Sequence, residues 1–354
     1  MSIRLGSYAR RLPIEHDAFL AQYGVGDVTA SYVFLPQFQD PLFWGDPNAE
    51  LGFDELGTHW ELLDLVKLRN RFASSGLKLI GMQMALPRRC LDRIVLGEVG
   101  RDEQIEQIIL TIRNMGRAGL TVFGYAWSVN APGQIDTSWR TSQTSPGRGG
   151  ARVTSFDSSQ IPAAYYSRGR RIMREDLFKH YEYFLERVLP AAEEAGVRLA
   201  IHPDDPPVAS LGGADRLFFD HQSYREALAL SSSRFHGVTL CFGNFGVMVE
   251  DPLVAIDQLG TADRIVLCHL QGTIGKIPTY SECFLDESDR DWLEILRALH
   301  KVGFDGAVFP AHHPETVFDT GPHRNNAIAY TSGYVKAMLQ VVEGRRGADS
   351  LRLH

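Results

Sequence analysis

The chain has 354 residues, 44% hydrophobic and 22% charged, with a formal net charge of -7 at pH 7. That balance fits an ordinary soluble globular protein and excludes an electrostatic nucleic-acid binder, which needs a basic face. Four cysteines without CxxC spacing make no disulfide framework, no apolar run reaches a membrane span of roughly 18 residues, and Met1–Leu5 does not open a signal peptide. The expectation is a cytoplasmic protein with no nucleic-acid and no membrane partner.

In chain order, eight short apolar runs read as buried strands: Ile3–Ser7, Asp27–Leu35, Leu77–Met84, Leu120–Trp127, Val197–Ile201, Gly237–Phe242, Arg264–Leu270 and Gly306–Pro310. Helical patterns lie between most of them. Glu55–Ser75 crowds Leu62, Leu63, Leu65, Val66 and Leu68 onto one broad face. Arg101–Gly119 repeats Ile105, Ile108, Ile109 and Ile112 at helical spacing. Asp176–Ala195 is placed to end at Gly196, and Asp289–Gly303 precedes the last strand. Eight such alternations predict a single-domain α/β fold, a (β/α)8 TIM barrel over residues 1–342, with a polar tail at 343–354. An open doubly wound sheet lacks the GxGxxG that would follow its first strand. Asn130–Tyr166 breaks the rhythm. It is rich in Ser, Thr, Gly and Pro, follows the fourth strand, and reads as a lid, a binding loop or a disordered insertion over the rim.

Three of the predicted strands end in His202, Cys241 and His269. A barrel gathers its active site at the C-terminal strand ends. Two imidazoles and a thiol on one rim would make a transition-metal site. His202 opens His202-Pro203-Asp204-Asp205-Pro206-Pro207, a stiff loop in which Asp204 is either a cap for the next turn or a catalytic carboxylate. Gly243 and Gly246 would let the backbone approach a ligand, and Asn244 could hydrogen-bond to one. Strand alternation turns Cys268 away from His269. The eighth strand runs into His312-His313, which are a base, a ligand or both. Arg140, Asn244, Gln271, Trp127 and His313 complete the rim as candidate substrate contacts.

On these residues the chain resembles the mannonate dehydratase family of xylose-isomerase-like barrels. The motif His202–Pro207 carries the resemblance, with Pro190–Arg198, Gly100–Glu106 and Thr111–Gly119, and the likeness runs from about Val28 to Leu339. It implies a divalent metal, typically Mn2+ with Zn2+, Fe2+ and Co2+ as alternatives, held by His202, Cys241 and His269. It implies conversion of D-mannonate into 2-keto-3-deoxygluconate and water, with His312 and Tyr330 catalytic.

The departures cluster at the site. Ala311 stands where the family has a fourth ligand, an aspartate, and Gln271 and Phe309 stand where it has arginines. Gly124-Tyr125-Ala126-Trp127-Ser128 replaces a Tyr-Asn-Phe-Met-Pro type sequence, and Ser281 replaces a histidine, while Glu282 is kept. Guanidinium is the group best suited to a carboxylate, so its loss weakens a sugar acid's hold. The expected activity is a metal-dependent sugar-acid dehydratase, with weak or absent turnover of D-mannonate itself and a neutral or differently shaped polyol-type substrate preferred. The alternative is a metal-dependent isomerase, epimerase or different lyase on a neutral sugar or glycoside. A third reading is a binding protein that kept the barrel and lost the chemistry. The expected partner is a small sugar acid or sugar, and a homo-oligomer stays open.

Overall fold

The computed structural model describes residues 2–36, 56–130, 144–166, 169–248, 250–319 and 324–344. Its strands in chain order are β1 (Arg4–Tyr8), β2 (Asp27–Ala30), β3 (Lys78–Met82), β4 (Val122–Ala126), β5 (Thr144–Pro146), β6 (Arg152–Asp157) and β7 (Arg198–His202). There follow β8 (Ser210–Leu211), β9 (Ala214–Asp215), β10 (His236–Cys241), β11 (Ile265–Leu270), β12 (Thr273–Lys276), β13 (Thr279–Glu282) and β14 (Ala307–Pro310). Eight of them close a parallel barrel in the order β1-β14-β11-β10-β7-β4-β3-β2. Each predicted run supplies one barrel strand, so the (β/α)8 expectation holds. Asp27–Leu35 is strand only to Ala30, after which Tyr32–Phe34 coils into a single 3-10 turn.

Both faces of these strands are buried, which is why they read as continuous apolar runs. Val122, Ala200, Leu267, Ala307 and Phe309 pack inside the barrel. Their neighbours Phe123, Leu199, Cys268 and Val308 point outward and join the larger core beneath the helices. This alternation decides which residues of each strand end reach the mouth. Phe309 fills the axis so closely that a Cβ on Gly6 would come within 2.6 Å of its ring.

The helices follow the predicted periodicity with one change. Arg101–Arg117 buries Ile105, Ile108, Ile109 and Ile112, and Arg174–Ala195 ends at Gly196 in the left-handed region. The helix Leu62–Ser74 instead buries Leu65, Leu68 and Phe72, and Leu63 lies 63% exposed on its outer side. Five apolar residues within seven positions cannot all face inward at 3.6 residues per turn.

The segment after β4 is not irregular throughout. β5 and β6 form a hairpin, and β6 pairs antiparallel with β13 of the hairpin after β11, giving a sheet β12-β13-β6-β5. Two loops from separate strands thus stiffen each other where they leave the rim. Trp139 and Arg140 lie outside the described residues, as does most of the tail from 345. Among the described residues no helix is long and apolar enough to cross a membrane. All four cysteines are buried and none forms a disulfide.

Candidate active site

Inward alternation brings His202, Cys241 and His269 together at the C-terminal ends of β7, β10 and β11. Cys241 and His269 are register partners across the β10–β11 ladder. One ligand atom from each of the three lies within 4.8 Å of the other two. The His202 and His269 rings stand 5.3 Å apart. His202 sets Nδ1 against the Pro203 carbonyl at 2.8 Å, which leaves Nε2 facing the group. His269 is 3% exposed, and its Nε2 has no hydrogen-bond partner. An unpaired buried polar atom costs about 1–3 kcal/mol. Burial, then His202 and then His312, hold the His269 imidazole well below its ordinary pKa and so keep it neutral. A neutral, unpartnered imidazole beside a thiol and a second imidazole fits a transition-metal ion, and the three residues are grouped as a metal site requires.

A polar chain runs from the trio to His312. The Cys241 thiol donates to Gln271 Oε1 at 3.5 Å, and Gln271 Nε2 donates to Glu282 Oε1 at 2.6 Å. His312 Nδ1 stands 2.8 Å from the same Glu282 oxygen. Thr154 Oγ1, from β6, donates to the other. Glu282 is 4% exposed and ends β13. The two paired loops are therefore what carry a carboxylate to His312. His312 itself adopts φ 52, a left-handed backbone seldom used by a residue with a side chain. Gln271 fits because residue 243 is glycine: a Cβ there would lie 2.2 Å from the Gln271 amide carbon. Gly246 makes room for Arg290 in the same way. The close approaches expected at these two glycines are made by protein side chains.

The other predicted residues divide. His313 follows His312, and its imidazole is pushed down to about 3 by burial first and then by Arg10, His312 and Arg324. Asn244 is buried in the single turn Phe242–Phe245 just after Cys241. Asp204 is a structural group. It is 2% exposed, pairs with Arg216 at 3.0 Å, and accepts from the Leu217 and Phe218 amides, so both its oxygens are engaged in bracing the loop. Trp127 has the outward parity of Phe123 and Tyr125. Its Nε1 donates to the Leu177 carbonyl at 3.2 Å and its ring packs on Tyr181, within the strand–helix layer. Tyr330 lies on the helix Asn325–Val342, 45% exposed, edge-on to Phe284 and near Arg148. Ala311 is nearly buried and its amide donates to the Leu270 carbonyl at 3.0 Å. Phe309 packs against His269 and Tyr8.

Tyr8 was not singled out by the sequence, although it ends β1 as His202 ends β7. Its ring stands edge-on to His269 at 5.2 Å. Burial first, then Cys241 and Cys268, raise its pKa well above the ordinary value, so the hydroxyl stays protonated.

The D-mannonate dehydratase family model matches residues 50–166 and 163–343. Mannonate dehydratase of Thermotoga neapolitana is 28% identical over 294 residues, covering 73% of this chain and 79% of that one. The solved mannonate dehydratase of Streptococcus suis serotype 2 superposes with a TM-score of 0.81 at 22% identity, covering 97% of this chain and 95% of that one. The IolI protein, solved with a bound zinc atom, shares the barrel at a TM-score of 0.57 and 13% identity over 96% of this chain and 99% of that one. A barrel with two histidines and a cysteine gathered at its strand ends, matched along most of its length by one family model, leaves no ambiguity of kinship: the chain belongs to the D-mannonate dehydratase family of sugar-acid lyases.

Proposed function

We propose that the chain removes water from an aldonic acid to give a 2-keto-3-deoxy acid, with His312 as the base. The observation that carries this reading is the His312–Glu282 pair beside the ligand trio. With Nδ1 donating to Glu282, Nε2 of His312 carries the lone pair that takes the proton from the carbon next to the carboxylate. A bound divalent metal would offset the negative charge that develops as this proton leaves. Glu282 stabilises the imidazolium so formed, and Thr154 and Gln271 hold the carboxylate in place. Phe309 and Tyr8 wall the mouth with aromatic rings and exclude water from the reacting carbons.

His202, Cys241 and His269 would hold the metal. The family resemblance points to Mn2+, but thiolate and imidazole without a carboxylate favour a softer ion, Zn2+, Fe2+ or Co2+. The zinc found in the IolI barrel is consistent with that ranking.

A proton must also reach the departing hydroxyl. Tyr8, beside His269 and protonated, is better placed for this than the exposed Tyr330. Tyr8→Phe is expected to lower kcat by about 10²-fold or more, the range of a general acid, while Tyr330→Phe stays within a few-fold. The reverse order in steady-state assays would return the role to Tyr330.

The departures at Ala311, Gln271 and Phe309 favour a second reading, isomerisation or epimerisation of a neutral sugar. One assay separates the two. Metal-loaded protein is offered D-mannonate, other hexonates and neutral ketoses, and both keto-deoxy acid and epimer are measured. Keto-deoxy acid from at least one hexonate is expected, with D-mannonate itself below a kcat/KM of about 10⁴ M⁻¹s⁻¹, the low end of ordinary enzymes. Epimer from a ketose, with no keto-deoxy acid from any hexonate, would overturn the dehydratase reading.

A further inference from the structure

Arg10 lies two residues beyond Tyr8, past the end of β1. Gly6 and Tyr8 face the barrel axis, where Gly6 abuts Phe309 and Tyr8 abuts His269. The ladder with β2 continues one residue beyond the strand, because the Ala9 amide donates to the Thr29 carbonyl at 2.8 Å. Ala9 packs in the outer core. Alternation therefore sets Arg10 on the axial side, over the mouth. β1 pairs with β14, so the chain that leaves β1 runs beside the chain that leaves β14, which carries His312 and His313. Arg10 lies near enough to His313 to be the largest charged influence on it.

The charged groups around Arg10 are Arg324, Asp319 and His313. His313 is neutral there. Arg324 repels Arg10 and is itself taken by Glu315 at 3.0 Å and by the His313 carbonyl at 3.2 Å. Asp319 is committed elsewhere. One oxygen accepts from the Thr316 amide and hydroxyl, and the other from the Asn326 amide. Glu315 is shared between Arg324 and Arg152. Among the described residues, no carboxylate comes within ion-pair distance of Arg10. Burial first, and then Arg324, push the Arg10 guanidinium down to about 10. The Asp319 charge favours the Arg10 cation from beyond ion-pair distance. A sheltered cation with no contacting counter-ion among the described residues is destabilising, and an arriving anion offsets that.

We propose that Arg10 is the residue that reads the substrate's carboxylate, pairing with it through its planar guanidinium at the mouth next to the His312–His313 turn. The inference rests on the reading of the substrate as a sugar acid. It gives the acid a charged anchor on the first strand of the barrel, on the side of the mouth where His312 works. A carboxylate held there places its neighbouring C–H near His312, so one contact serves both recognition and alignment for proton removal.

The test is calorimetric binding to the metal-loaded full chain, with D-mannonate, D-gluconate and D-galactonate as acids and D-mannitol as the neutral control. The wild type is expected to bind at least one hexonate about tenfold or more tighter than D-mannitol, the scale of one charge-assisted contact. Arg10→Met should lose about ten- to a hundred-fold on that hexonate and keep its D-mannitol affinity and metal content. Arg10→Lys should restore part of the loss, since the charge returns without the fork. Removing an unpaired cation should leave the melting temperature unchanged or higher, whereas a structural strap would lower it. Arg10→Met binding the acids as tightly as the wild type overturns the proposal. So does a wild type that binds no hexonate better than D-mannitol. The two readings fail separately. Acid binding through Arg10 without keto-deoxy acid would end the dehydratase reading and keep the anchor. Keto-deoxy acid formed with an unchanged KM in Arg10→Met would do the opposite.

Discussion

Replacing His312 by glutamine is expected to lower kcat on the best hexonate by about 10²–10⁴-fold and to leave the bound metal at wild-type stoichiometry. Glutamine is close in reach and polar, but it has no basic nitrogen at neutral pH. The argument starts from the backbone. His312 sits at φ 52 directly after the barrel's eighth strand, a conformation that costs about 1–3 kcal/mol for a residue other than glycine. The hydrogen bond of its Nδ1 to a nearly buried carboxylate fixes the ring. That carboxylate is itself held by Gln271 of its own loop and by Thr154 of the loop after β4. Strain supported by three converging segments is the pattern of a positioned reactive group. Glu282→Gln should cost about 10–100-fold, the usual effect of an outer hydrogen-bond partner, because the ring stays oriented and only the charge behind it is lost. A His312→Gln enzyme within tenfold of the wild type would remove His312 from the chemistry. A His312→Gln enzyme that loses its metal would make His312 a ligand instead of a base.

The sequence carried the barrel because both faces of each strand are buried, and buried strands print apolar runs that helix periods then separate. It carried the meeting of His202, Cys241 and His269 for the same reason. A His or Cys at the end of an apolar run stands out, and three such ends imply one rim. What it carried less well depends on parity and on distance along the chain. Ala126 closes β4 and Trp127 follows it, but only the inward position faces the mouth, and a one-residue slip exchanges the two faces. Asp204 sits in the most specific motif of the chain, yet its partners are Arg216 and two amides that come 12–14 residues later. No local pattern announces that pairing. Glu282 reaches His312 only because β6 and β13, from loops that flank different strands, zip into one sheet. The Ser-, Thr- and Gly-rich run around β6 has the composition of an irregular loop, and its strand character comes from the partner strand. Tyr8 and Arg10 were legible in principle. Tyr8 follows a predicted strand just as His202 does and Arg10 lies two residues on, but an aromatic and a guanidinium there look like ordinary core and surface until the alternation is drawn.

The largest expected loss is of metal. Cys241→Ser and His202→Ala should each lower metal affinity by more than about 100-fold, beyond the 10–100-fold typical of outer partners, and both should fold. Neither side chain is core packing for the helices, since both stand at the inward ends of their strands, above the buried layer that Ala200, Leu267 and Phe309 provide. Ala311 predicts the opposite sign. It follows β14 as the next inward position after Phe309, and its amide ties it to the carbonyl of Leu270, the residue after His269. A carboxylate there would add a hard oxygen beside two imidazoles and a thiolate. Hard oxygen donors suit Mn2+, whereas the present trio suits Zn2+, Fe2+ or Co2+. Ala311→Asp should therefore raise Mn2+ affinity more than Zn2+ affinity, read by elemental analysis after dialysis and by chelator competition. Equal metal content in Cys241→Ser and the wild type would refute the trio as ligands. An Ala311→Asp protein with unchanged Mn2+ affinity would refute the placement of residue 311 at the metal. Its loss in this chain would then bear on the substrate alone. Gain at 311 together with loss at 241 would mean that the chain has given up a ligand its fold still has room for. It would leave a more positive metal centre with a position open to water or to a substrate oxygen.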